Sequence, residues 1–157
     1  MPSKDSRKMS LAERVKARGD DLWPEDITAA EGEVPPITIL KQQASLLGRR
    51  TRNLLEAEVE TSASEFQGYL RHILFLVAPA LNFYRHQLLQ VEHDATQLYP
   101  ATIDSSRSGN GPSKRRRIRA KNSEEFKEGL KQIFADDETK KTIGSLLAQS
   151  GSALGGT

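Results

Sequence analysis

Cysteine is absent from all 157 residues. That removes disulfides, thiol catalysis and thiolate metal sites, and it fits a reducing cytoplasm. Long apolar runs are missing as well. The longest, Ile73–Leu81, falls far short of a membrane span and contains Pro79. The N-terminal MPSKDSRKMS carries charge with no apolar stretch behind it, unlike a secretory signal. A strong excess of either charge is also lacking: 23 Lys and Arg against 21 Asp and Glu give +2. So mild a balance does not by itself mark a nucleic-acid binder. The expectation is a soluble cytoplasmic protein with no membrane partner.

What the chain does hold is a concentration of rings in its middle. Six of the eight Phe and Tyr residues lie between 66 and 103: Phe66, Tyr69, Phe75, Phe83, Tyr84 and Tyr99. Aromatic side chains bury the most area per residue, so the core is expected to form here. Two readings compete for the stretch. Leu70, Leu74, Val77, Leu81, Tyr84, Leu88, Val91 and Ala95 recur in steps of four and three, a helical seam. Against it, Pro79 would delete a hydrogen bond and clash with the preceding turn, costing about 3 kcal/mol. The ring and β-branched content favours strands, and Tyr99-Pro-Ala-Thr-Ile103 suits an edge strand. The expectation is three antiparallel strands near 66–77, 82–92 and 98–103, reversing at Pro79–Asn82. The alternative is an all-α chain broken at Pro79.

Helices are expected on both sides. Pro35-Pro36 can open one at no cost, and Ile37, Leu40, Ala44, Leu47, Leu54 and Leu55 form one stripe that also contains Thr51. This predicts a helix over about 37–59, although Glu56, Glu58 and Glu60 would then oppose its dipole. A nearby basic group, or an earlier helix end, would relieve that. Residues 104–113, DSSRSGNGPS, read as a flexible loop. Asn122 can cap a helix with Glu125 at its third position, and Phe126, Leu130, Ile133 and Phe134 give it an apolar face. Asp136 or Asp137 starts another, with Ile143, Leu146 and Leu147 inward and Gly151 as terminator. Near the N-terminus, Ser10 and Glu13 read as the capping box of a short helix that Gly19 stops. The fold class is therefore α+β: a long N-terminal helix packed on a small antiparallel three-stranded meander, followed by two C-terminal helices. Residues 1–33 are expected as a mobile arm with a short helix, 34–150 as a single domain, and 151–157 as a disordered tail.

Little in the chain points to chemistry. Were the hairpin to reverse around Pro79, His72 and His86 would lie opposite each other, with His93 or Glu92 available to complete a metal site. A slip of one residue removes that geometry, and half-exposed, hydrogen-bonded imidazoles are the simpler reading. Serines lie in tails and loops with no nucleophile-elbow pattern. Glu124-Glu125 and Asp136-Asp137 sit at helix starts, where the dipole already explains them. The loop Gly109–Lys114 lacks the Gly-Lys pair of a phosphate cradle. The chain leans away from an enzyme, and no cofactor is expected.

Lys114, Arg115, Arg116, Arg117, Arg119 and Lys121 make a basic run that can release counterions from a phosphate backbone. No ring suited to stacking lies within it, so a solvated charged loop accounts for it more simply. The single tryptophan, Trp23, sits beside Leu22 in an acidic stretch, and Trp is enriched at binding hot spots. Arg49, Arg50 and Arg52 form a second basic patch. The first functional reading is a non-catalytic regulator or accessory protein working through protein–protein contact, homo-oligomers included, with Leu22, Trp23 and these three arginines at the contact. Nucleic-acid binding through the basic run is the alternative, and a metal enzyme built on the histidines is the third.

Overall fold

Pro36 occupies the first turn of helix α1 (Pro36–Arg50), where its missing N–H would have had no partner anyway. Ile39 and Leu40 turn inward and are fully buried. The helix then ends well short of residue 59. The Thr51 hydroxyl lies 3.0 Å from the Leu47 carbonyl and accepts from the Leu55 N–H at 3.1 Å. Arg52 and Asn53 follow with φ of 53° and 65°, a left-handed pair that turns the chain. Leu55 is buried completely, and strand β1 (Glu56–Ala63) begins. Glu56, Glu58 and Glu60 alternate there with the half-buried Ala57 and Val59. This corrects the long helix. The acids that would oppose a helix dipole follow the period of two of a strand.

The structure is a computed structural model that describes residues 20–105 and 116–155. It divides into two units, one ending at Gly32 and one beginning at Glu33. The short helix expected between Ser10 and Gly19 lies outside the described residues. In the second unit, β1 is followed by β2 (Tyr69–Ala78), β3 (Tyr84–Asp94), β4 (Ala101–Ser105) and β5 (Arg116–Ala120). The five form one antiparallel sheet in sequence order. The three-stranded meander is thus overturned, because a strand is added at each edge. β5 falls where a charged loop was expected. Ile118 pairs with Ile103 and Ala120 with Ala101, while Arg117 and Arg119 take the other face. The all-α alternative fails too: Pro79 starts a 3-10 turn (Pro79–Leu81), and Ala78 pairs with Tyr84 across the reversal.

Register decides which side chains meet. Leu74 pairs with Leu89 and Leu76 with His86, and a bulge lies between these pairs. The extra residue lets Leu88 and Leu89, neighbours in sequence, both be buried. With Leu74, Leu76, Val91, Ala101 and Ile103 they make the face on which the helices pack. Helix α2 (Ser123–Phe134) is capped by Asn122, whose Oδ1 accepts from the Glu125 N–H at 2.9 Å. Helix α3 (Asp137–Ala153) starts on Asp136 and runs through Gly151, the expected terminator. Glu33 accepts from the Ser123 N–H at 2.7 Å, and the Tyr99 hydroxyl donates to the Val34 carbonyl. These two contacts tie the approach to α1 to the start of α2 and to the β3–β4 connection. On the other face of the sheet the Arg85 guanidinium lies 4.0 Å from the Phe75 ring centroid and pairs with Glu58 and Glu60 at 3.2 and 2.7 Å.

The rings do not make the core. Five of the nine aromatic residues are exposed, namely Trp23, Phe66, Tyr69, Phe83 and Tyr84, and Phe126 alone is fully buried. Leu, Ile and Val do the filling instead. Close packing explains why α2 carries a glycine. A Cβ on Gly129 would stand 2.9 Å from Ile103 Cδ1 and 3.1 Å from Ile118 Cγ2. Gly129→Val should therefore lower the unfolding free energy by about 2–3 kcal/mol through overpacking. Gly144, in α3, has open space around it, and Gly144→Ala should raise stability by about 0.5–1 kcal/mol. Urea titration of the two variants checks both signs.

Candidate functional site

The reversal after β2 takes up Pro79–Leu81 as a 3-10 turn, and Asn82 and Phe83 follow with φ of 60° and 58°. The hairpin centre moves accordingly, and the bulge moves it again. His72 therefore pairs with Val91 and His86 with Leu76, so the expected His72–His86 juxtaposition does not occur. Instead His72 meets His93, the diagonal neighbour on the same face. Their Nε2 atoms are 2.9 Å apart, and both residues are buried, at 2% and 4% exposure. The ring centroids are 5.0 Å apart, so the imidazoles meet edge to edge rather than face to face.

The protons can be placed from the neighbours. His93 Nδ1 lies 2.8 Å from the Asp94 carbonyl and 2.7 Å from the Gln97 carbonyl. Both are acceptors only, so Nδ1 carries the hydrogen and Nε2 accepts. His72 must then donate from Nε2, leaving its Nδ1 to accept from the Thr61 hydroxyl at 2.8 Å. Every ring nitrogen is satisfied with one proton per ring. Thr61 is exposed on β1, so this chain of hydrogen bonds reaches the surface.

A hydroxyl, an imidazole and a third group in line have the outline of an activated nucleophile. The electrostatics oppose that use. Burial, the facing His93 and Lys41 of α1 push His72 down to about 4, so it takes up no proton from Thr61 near neutrality. The group behind it is another imidazole, not a carboxylate. A metal is no better served, since among the described residues no group of three or more His, Cys, Asp or Glu is arranged to hold one. His86 stands apart from this pair, facing α3 with Tyr84 and Lys141, and burial lowers its affinity for a proton.

The remaining candidates belong to several separate elements. Leu22 and Trp23 belong to the first unit, at 92% and 74% exposure. Arg49 and Arg50 close α1, and Arg52 is in the left-handed turn after it. Of the basic run, Lys114 and Arg115 lie outside the described residues. Arg117 pairs with the buried Asp104 at 3.2 Å and Arg116 lies 3.9 Å from Asp136, while Arg119 and Lys121 are exposed. One of these charges thus serves the hairpin itself, and another joins it to the start of α3. Phe83 and Tyr84, read from sequence as core, stand exposed at the tip of the β2–β3 hairpin. The turn pair Asn82-Phe83 after Pro79 was the signal available for that. Among the described residues no helix is long and apolar enough to cross a membrane. No family model matches the chain, and neither a curated protein nor a solved structure matches it.

The imidazole pair makes a pH prediction. An unfolded His72 has a pKa near 6.5, above its folded value of about 4. Falling pH therefore protonates the unfolded chain first. Stability should be unaffected by His72 above pH 6.5 and should fall by about 3 kcal/mol in all between pH 6.5 and 4. In His72→Gln, whose amide can still donate to His93, this part of the acid slope should vanish. Urea midpoints at pH 7, 5.5 and 4.5 report it.

Proposed function

We propose that this chain is a non-catalytic cytoplasmic regulator or accessory protein that acts by binding another protein, with Leu22 and Trp23 as its principal anchor. The observation carrying the reading is that the chain leaves most of its rings outside its core. Single exposed apolar residues are ordinary, but Trp and Tyr are the residue types that concentrate binding energy when a partner covers them. Leu22, Trp23 and Ile27 are exposed together in a stretch that includes Asp20, Asp21, Glu25 and Asp26. The Asp21 carboxylate accepts from the Trp23 N–H at 3.1 Å, a local turn that fixes the backbone under the two large side chains. Acidic flanks favour a partner groove with basic groups at its rim, and they disfavour an acidic one.

The hairpin tip offers a second contact on the other unit. Phe83, 67% exposed, is held at a φ of 58°. A left-handed conformation in a non-glycine residue costs about 1–3 kcal/mol and persists where the surrounding structure enforces it. The β-branch-free ring is thereby presented outward beside Tyr84.

Capture on immobilised full-length chain, compared with Trp23→Ala and Phe83→Ala and read by quantitative mass spectrometry, tests the reading. The expected result is a retained protein whose recovery falls at least tenfold on Trp23→Ala, the effect of losing one hot spot. Trp23 emission should shift to shorter wavelength when that protein is added back purified. Equal recovery on wild type and Trp23→Ala, with unchanged emission, would reject it.

A further inference from the structure

Among the described residues, the three helices do not close over the five strands. α1 runs beside β1, α2 lies over β4 and β5, and α3 packs by the Pro79 turn. Where the three approach each other, a cleft of about 210 Å³ reaches down to the sheet. Its floor is Leu74, Leu76 and Leu88, and Ala44, Phe134 and Ile143 stand around it. The bulge in β3 supplies this floor, since it turns Leu88 inward beside Leu89. Two lining residues are polar, Gln43 and Arg50, and both belong to α1.

Arg50 makes no ion pair among the described residues. Its place in the last turn of α1 suits the helix dipole, yet the dipole does not account for an apolar cleft beneath it. An apolar cleft with one or two polar groups at its edge is the form of a small-molecule site. Its volume is below the roughly 300–1,000 Å³ of drug-sized sites, which limits the occupant to a small molecule. One guanidinium matches one carboxylate, which it can hold through two parallel hydrogen bonds. We infer that this cleft binds a free medium-chain alkyl carboxylate, its chain on Leu74, Leu76 and Leu88 and its head at Arg50. This inference does not rest on the protein contact proposed at Trp23.

Isothermal titration of the full-length chain with octanoate, octanol and octylammonium tests this. Octanoate should bind saturably at one site, more tightly than octanol, and octylammonium should not bind. Arg50→Gln should weaken octanoate about tenfold, a loss of about 1.4 kcal/mol, and leave octanol unchanged. Ala44→Leu, which fills the cleft from α1, should abolish binding of both. Should Ala44→Leu fail to melt cooperatively, Ala57→Leu fills the same space from β1. Absence of saturable octanoate binding overturns the proposal. So does octylammonium binding as well as octanoate, or octanoate affinity that survives both Arg50→Gln and the filled cleft.

Discussion

The register of β2 against β3 is the constraint on which the rest of this domain depends. Side chains alternate between the two faces of a strand, so a slip of one residue would move each to the opposite side. With Leu74 opposite Leu89 and the bulge following, Leu74, Leu76, Leu88, Leu89 and Val91 all face the helices. The same register sends Phe75 and Arg85 to the other face, where the guanidinium covers the ring and meets Glu58 and Glu60. It also brings His72 to His93. Burial of the leucines supplies the driving force, and the bulge lets two adjacent ones contribute to it.

Parts of this were legible in the sequence. The proline start of α1, the Asn122 cap of α2 and the reversal near Pro79 each rest on local chemistry that acts over a few residues. β1 was misread as the end of α1: Glu-Ala-Glu-Val-Glu-Thr alternates as a strand does, but Leu54 and Leu55 carry the helical stripe up to its first residue. Only the Thr51 hydroxyl, turned back onto Leu47 and Leu55, shows why the helix stops. β5 was hidden by composition. Its two inward residues, Ile118 and Ala120, are outnumbered by arginines whose alternation carries no hydrophobic signal.

The histidine geometry could not be read in advance, because it depends on how many residues the turn consumes and on an inserted bulge. Neither leaves a periodic trace. The rings misled for a different reason. Aromatic enrichment is shared by cores and by binding surfaces, and only the packing shows which applies. Here Phe126 lies in the core with Tyr99 edge-on to it at 6.2 Å, while Phe66, Tyr69, Phe83 and Tyr84 stand near the ends of the two long strands. A core of leucine, isoleucine and valine frees those rings for the surface.

Among the described residues, the two outermost strands carry opposite charge. β1 presents Glu56, Glu58 and Glu60, and β5 presents Arg117 and Arg119 on the same face of the sheet. An unpaired sheet margin is a template for joining another chain. Two copies meeting margin to margin by a two-fold axis would set like charges against each other on either side. The junction that charge favours would place β1 of one molecule against β5 of the next, a head-to-tail union that ends in a ring where its rotation closes and in an open filament where it does not.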